Sequence, residues 1–283
     1  MTNKVAAIQM VSTASVDENL ASAARLIAAA VEQGARLVLL PEVFAVLEGG
    51  TMRQYGEIEG DPAAPIQGFL SDQARLHHVI VVGGTIPLIS RPGKSKADAD
   101  FIIDDGRVRP ACLVFGEDGK QLARYDKIHL FDVTVDDRQS QYSESRSYEA
   151  GNEIVMVPTA VGKLGLSVCY DMRFPELYRA LFKQGAELVT VPAAFTKVTG
   201  QAHWETLLRA RAIENQCYVI AAGQGGQHSA TRETWGHSMI IDPWGTILDQ
   251  VAEGEGFAIA ETNLDQLADI RKRMPIAQQQ KLG

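Results

Sequence analysis

Short β-branched runs alternate with amphipathic helical stretches along this 283-residue chain, and that alternation limits the possible folds more than any other feature. Residues 5–10 read as a buried strand. Residues 19–33 carry Leu20, Ala23, Ala24, Ile27 and Val31 three and four apart, the spacing of a helix with one apolar face. Residues 37–40 read as a second strand running into Pro41-Glu42, and a helix over 65–78 leads into a strand over 79–82. Strand–helix–strand units in succession predict an α/β fold with a largely parallel sheet. Strands at 111–115 and 121–124 flank Gly116-Glu-Asp-Gly119, a hairpin signal. After a polar, poorly periodic stretch over 136–152 the pattern resumes, with a strand at 164–169, a helix at 175–184 and a strand at 188–191. His77 and His78, at a helix–strand junction, read as structural.

Gly34-Ala-Arg-Leu-Val-Leu-Leu-Pro-Glu42-Val-Phe44 is echoed by Gly185-Ala-Glu-Leu-Val-Thr-Val-Pro-Ala193-Ala-Phe195, each just after an amphipathic helix. Either any helix–Gly–strand unit looks like this, or the fold has two pseudo-symmetric halves, with two sheets packed face to face and helices outside. On the second reading, strands at 217–222, 237–241 and 256–260 complete the second sheet. No Gly/Ser/Pro-rich linker separates the halves, so one domain is expected over 1–275, with a tail at 276–283.

Charge narrows the partners. With 27 basic and 35 acidic side chains the net charge is −8, and no long Lys/Arg cluster is present. This argues against nucleic acid or an anionic membrane as the main partner and favours a small molecule. Charged residues interrupt every apolar run well before membrane-spanning length, and the N-terminus lacks a signal-peptide apolar region. Three cysteines, Cys112, Cys169 and Cys217, are an odd number without C-x-x-C pairing. That pattern suits a reducing cytoplasm with no disulfide framework, and no metal-spaced set of ligands is apparent.

Cys112 and Cys217 lie inside apolar strands and read as small core residues. Cys169 differs. It stands where a strand stops, before a turn and a helix whose first turn includes Pro175, a position where a thiol ionises more easily than a free one. Glu42 also follows a strand directly, as a loop carboxylate or as a general base for a thiol. Lys127, in Tyr125-Asp-Lys127-Ile-His-Leu-Phe-Asp132, could be a solvated surface charge. Beside a thiolate it would favour the ionised sulfur and stabilise a tetrahedral anion.

These three motifs resemble those of the carbon–nitrogen hydrolases of the nitrilase superfamily, over residues 5 to about 275. Leu-Leu-Pro-Glu42 is similar to the motif of the base, Asp-Lys127-Ile-His-Leu-Phe-Asp to that of the lysine and Val-Cys169-Tyr-Asp-Met-Arg-Phe-Pro-Glu to that of the nucleophile. The resemblance implies a four-layer α-β-β-α sandwich, no cofactor, and a homodimer or larger homo-oligomer. It puts the family's second glutamate at Glu144.

The segment from Gly200 to Asn215 resembles the amidase branch that contains omega-amidase and deaminated glutathione amidase, with Gln201 in place of the usual proline. That branch implies a cysteine thioester intermediate and release of ammonia from a carboxamide. Deaminated glutathione is the first substrate expected; 2-oxoglutaramate-type acids or N-carbamoyl amino acids are the alternatives, and a catalytically silent partner protein is the non-enzymatic one. Tyr170 is expected to lend its backbone N–H to the oxyanion. Arg173 is expected either to meet a substrate carboxylate or to brace its helix. Phe195, Thr196, His203 and Trp204 are candidate pocket residues or simple packing.

Overall fold

The computed structural model describes residues 2–48 and 50–281. The first half runs β1 (Thr2–Gln9), α1 (Val16–Glu32), β2 (Ala35–Leu39), α2 (Pro65–His77), β3 (Ile80–Val82), β4 (Ile86–Leu88), β5 (Arg109–Phe115) and β6 (Gln121–Asp126). A small hairpin of β7 (Asp132–Thr134) and β8 (Gln141–Ser143) leads into β9 (Met156–Thr159), β10 (Gly162–Leu166), α3 (Pro175–Lys183), β11 (Leu188–Ala193), α4 (Lys197–Asn215) and β12 (Tyr218–Gly223). After these come β13 (Gly225–Gln227), β14 (Glu233–Trp235), β15 (Met239–Ile241), β16 (Ile247–Gln250), β17 (Gly256–Asn263), α5 (Leu264–Arg273) and α6 (Ile276–Gln279). Helix α6 occupies part of the tail expected at 276–283; residues 282–283 lie outside the described residues.

One sheet has the order β17-β1-β2-β3-β5-β4 with β6 on β5, the other β16-β15-β12-β11-β10-β9. Each centres on three parallel strands joined by helical crossovers, β1-α1-β2-α2-β3 and β10-α3-β11-α4-β12. The internal echo falls on β2 and β11, the middle strand of each trio, so it marks a repeated structural unit. Gly34 and Gly185, with φ of 92° and 90°, donate their N–H groups back to Val31 O and Phe182 O. Helices α1 and α3 therefore end alike, on a left-handed residue that glycine supplies without steric cost.

Two expectations are corrected. Outside the trios the pairings are antiparallel, so the sheets are mixed rather than largely parallel. Three of these pairings, β5–β6, β9–β10 and β15–β16, are hairpins, whose turns cannot carry a crossover helix. The strand expected at 256–260 in the second sheet is β17, which instead pairs with β1 from Thr2↔Asn263 to Gln9↔Gly256. It covers an edge of the first sheet that would otherwise expose unpaired backbone, a choice an apolar run does not encode.

Alternate residues of β1 divide the core. Val5 and Ala7 pack with Leu37, Leu39, Leu166 and Ile220 between the sheets. Ala6 and Ile8 pack with Val38, Leu40, Ile27 of α1 and Leu70 of α2 on the opposite face. A strand apolar on both faces is what burial between a second sheet and a helix layer demands. Leu181 of α3 and Leu208 of α4 pack against the second sheet, completing the α-β-β-α sandwich. Each fully buried Leu or Ile contributes roughly 1.5–3 kcal/mol. No helix among the described residues is long and apolar enough to cross a membrane.

Candidate active site

Glu42 leaves the first sheet on a strained turn. Val43 has φ of 51°, a left-handed value that is costly for a β-branched residue, and its N–H donates to Thr85 Oγ1 at 2.8 Å. Gly84 lies so close beneath that a Cβ there would sit 1.9 Å from Pro41 O. Gln224 Nε2 donates to Glu42 O at 3.1 Å and to Ser12 Oγ at 2.8 Å, and Ser12 Oγ donates to Phe44 O at 2.9 Å. With its carbonyls satisfied inside the protein, the turn holds Glu42 buried, and Oε2 accepts the Ala194 N–H at 2.9 Å.

Cys169 leaves the second sheet on another strained residue, with φ of 48°, and opens a short helical turn over Cys169–Arg173. The fully buried Asp171 fastens that turn. Its Oδ2 accepts the Val168 N–H at 2.8 Å and the Tyr125 O–H at 2.6 Å, while Oδ1 accepts the His129 N–H at 2.9 Å and lies 2.7 Å from His129 Nδ1. The His129 ring stacks on Phe174, centroids 3.6 Å apart. One carboxylate thus binds the cysteine turn to the strand end on either side of Lys127. Sequence reasoning missed it; an acid two residues after the candidate nucleophile was the available signal.

Lys127 is fully buried, and its Nζ donates to Glu42 Oε1 at 2.8 Å and to Glu144 Oε1 and Oε2 at 3.0 and 2.7 Å. These contacts match the three hydrogens of an ammonium. Glu144 Oε2 also accepts the Phe131 N–H at 2.8 Å. Burial works against the lysine charge, but Glu144 and Glu42 outweigh it and hold the Lys127 pKa well above the ordinary range. Burial pushes the Glu144 carboxyl up, with Glu42 adding and Lys127 opposing.

Burial, and then the neighbouring Glu42 carboxylate, raise the Cys169 thiol well above its ordinary value, with Lys127 opposing. This corrects the expectation of an easily ionised sulfur. Two carboxylates face one ammonium, so the pocket carries excess negative charge and the resting thiol keeps its proton. Such a set can move that proton to Glu42 as the sulfur attacks a carbonyl, which is general-base activation of a neutral thiol. The Tyr170 N–H donates to no acceptor among the described residues.

Cys169, Glu42 and Glu144 open onto a cavity of about 310 Å³, and Tyr170, Phe195 and Thr196 line it. Arg173, His203 and Trp204 do not. The Arg173 guanidinium lies 5.7 and 5.3 Å from the Tyr170 and Phe195 ring centres, with its nitrogens 3.3 Å from His203 Nδ1. Trp204 is buried against Phe195, centroids 5.0 Å apart, and donates to His237 O at 2.8 Å. These three side chains brace the cavity wall from outside. Gln201 is exposed within α4, whose cap Thr196 accepts the Thr199 N–H, so the helix starts without a proline there. Tyr142, Tyr148 and Arg232 line the cavity from segments that show no periodicity, which is why the sequence did not single them out. Among the described residues no three His, Cys, Asp or Glu side chains are grouped to hold a metal ion.

Comparison with known proteins gives the family. The sequence profile of the carbon–nitrogen hydrolase family matches residues 4–272. The chain is 46% identical over 275 residues to a deaminated glutathione amidase of Synechocystis sp., covering 96% of both chains. It is 36% identical over 266 residues to an omega-amidase of Danio rerio, covering 93% of this chain and 89% of that one. The crystal structure of Nit3 from Saccharomyces cerevisiae, a member of branch 10 of the nitrilase superfamily, superposes with a TM-score of 0.83 at 32% identity, covering 97% of this chain and 94% of that one. The chain belongs to the carbon–nitrogen hydrolase family of the nitrilase superfamily.

Proposed function

We propose that the chain is an amidase that cleaves a carboxamide through a thioester on Cys169. The observation that carries this reading is the Lys127 ammonium, held between Glu42 and Glu144 beside a buried thiol. Glu42 takes the thiol proton as the sulfur attacks the amide carbon. As charge builds on the carbonyl oxygen, Lys127 turns one hydrogen towards it from Glu144, whose two oxygens it bridges, and together with the Tyr170 N–H holds the oxyanion, each such donor lowering the barrier by about 3 kcal/mol. Protonated Glu42 then passes its proton to the leaving nitrogen, and the same carboxylate activates the water that hydrolyses the thioester. Glu144 keeps Lys127 charged and aimed.

Deaminated glutathione is the substrate class we put first, on the 46% identity to a relative of that name. Its amide nitrogen is substituted, so the leaving group is a peptide amine; ammonia leaves only from a primary amide. The second reading, omega-amidase activity on 2-oxoglutaramate-type acids, rests on the 36% relative and on the same catalytic set. N-carbamoyl amino acids are the remaining enzymatic alternative. A silent partner protein is disfavoured because no member of the set is replaced. We further propose a cytoplasmic homo-oligomer, which three unpaired buried cysteines and family membership support.

The test is amine and ammonia release across deaminated glutathione, 2-oxoglutaramate, simple amides, nitriles and N-carbamoyl acids. The proposal expects turnover of the first two at the highest kcat/KM, and none in a folded Cys169→Ala variant. Turnover of nitriles or carbamoyl acids alone refutes the substrate reading, and activity in Cys169→Ala refutes the mechanism.

A further inference from the structure

The cavity is an acidic place for an acidic substrate. Glu42, Glu48 and Glu144 all line it, in a protein of net charge −8. All three hydrogens of Lys127 are directed at carboxylate oxygens, and Arg173 stands outside the lining against His203. Among the described residues, Arg232 is the one cationic side chain that lines the cavity.

Arg232 is poorly matched by the protein itself. Its Nη1 reaches Gln139 Oε1 and its Nη2 reaches Ala194 O, both at 3.4 Å, the long end of a hydrogen bond. Its Nε is buried without a partner, and no carboxylate pairs with it among the described residues. The guanidinium lies over the Tyr142 ring, 5.0 Å from its centre, and a hydrogen bond with the Tyr142 side chain is its remaining contact. A half-buried guanidinium with an orphaned donor and no counter-charge is an unfinished ion pair, and a carboxylate is the planar group that its fork of donors fits. The position is right as well. Arg232 touches Ala194 O, and the N–H of the same residue holds Glu42. Arg232 and Glu42 thus meet the two sides of one residue and line the same cavity.

We propose that Arg232 is the specificity-determining residue for a carboxylate placed a few carbons from the scissile amide, as in 2-oxo acid ω-amides. Arg232 selects the substrate and takes no part in the proton transfers. The inference rests on the amidase reading for its kinetic consequence, but not for its binding consequence, and the experiment separates the two.

Wild type, Arg232→Leu and Arg232→Lys are compared on 2-oxoglutaramate and on butyramide, an uncharged primary amide. The ratio of kcat/KM for the anionic over the neutral amide should fall ten- to hundredfold in Arg232→Leu, mainly through KM, with partial recovery in Arg232→Lys. An unchanged ratio overturns the assignment, whether both rates hold or both fall together. In parallel, 2-oxoglutarate binding is measured by calorimetry on Cys169→Ala with and without Arg232→Leu. Binding that weakens at least tenfold without the arginine supports the assignment even if wild type hydrolyses neither amide, in which case the amidase reading alone fails. Equal affinity, or no binding with the arginine present, overturns it.

Discussion

Glu144 and Glu149 stand five residues apart, and their carboxyl groups are pushed in opposite directions. Glu149 belongs to a balanced set. Arg91 and Arg109 bond it, Arg107 pairs with it and with Asp105, Arg109 and Arg124 bond Asp126, and Arg124 bonds Glu59, so four cations meet four anions. The Arg91 hydrogen bond, with Arg109 behind it, pulls the Glu149 pKa down from 4.5 to about 2. Glu144 shares the single cation Lys127 with Glu42, and burial pushes its pKa up. Asp126 and Lys127 are consecutive, so one strand end carries a closed ion network on one side and an open one on the other. The closed network is scaffold. The open one keeps an excess negative charge that can take up a proton, which is what the chemistry needs.

Removing the shared cation should have the largest effect. Lys127→Ala leaves two buried carboxylates facing one another. We expect activity to fall at least about a thousandfold, with a stability loss of about 3–5 kcal/mol. Steady-state rates and thermal unfolding measure both, and an active variant would remove Lys127 from the mechanism. Asp171→Asn comes next, because it turns an amide N–H₂ towards groups that now donate to a carboxylate. It should lower kcat roughly ten- to hundredfold while the protein still folds. A change in KM alone would mean that the clamp does not aim the cysteine turn.

Glu149→Gln should cost roughly 2 kcal/mol at neutral pH after allowance for solvent screening, with little effect on rate. Its sign follows from a lowered folded pKa: the stabilisation is complete above about pH 4.5 and is lost as pH falls towards about 2. Unfolding titrations of wild type and variant should therefore converge at acid pH. Curves that stay parallel would show that Glu149 does not titrate in that window.

Much of this was legible in the sequence because strand ends are. Leu-Leu-Pro-Glu42, the lysine after β6 and the cysteine after β10 each stand where a strand stops, and the echo between β2 and β11 reported the repeated unit. The edge of the sheet was not legible, since the apolar run of β17 fits either sheet. Nor was the direction of the thiol shift, which depends on how many carboxylates surround one lysine. Arg173 drew attention by its nearness to Cys169 in the chain, whereas Arg232, 63 residues beyond the cysteine, reaches the cavity from an aperiodic loop.

The central claim is that Cys169 carries the acyl group during turnover. Wild-type protein mixed with an amide substrate and quenched in acid should show an intact-mass increase equal to the acyl moiety, and peptide mapping should locate it on Cys169. Turnover that proceeds without an adduct on Cys169, or that persists in Cys169→Ala, would contradict it.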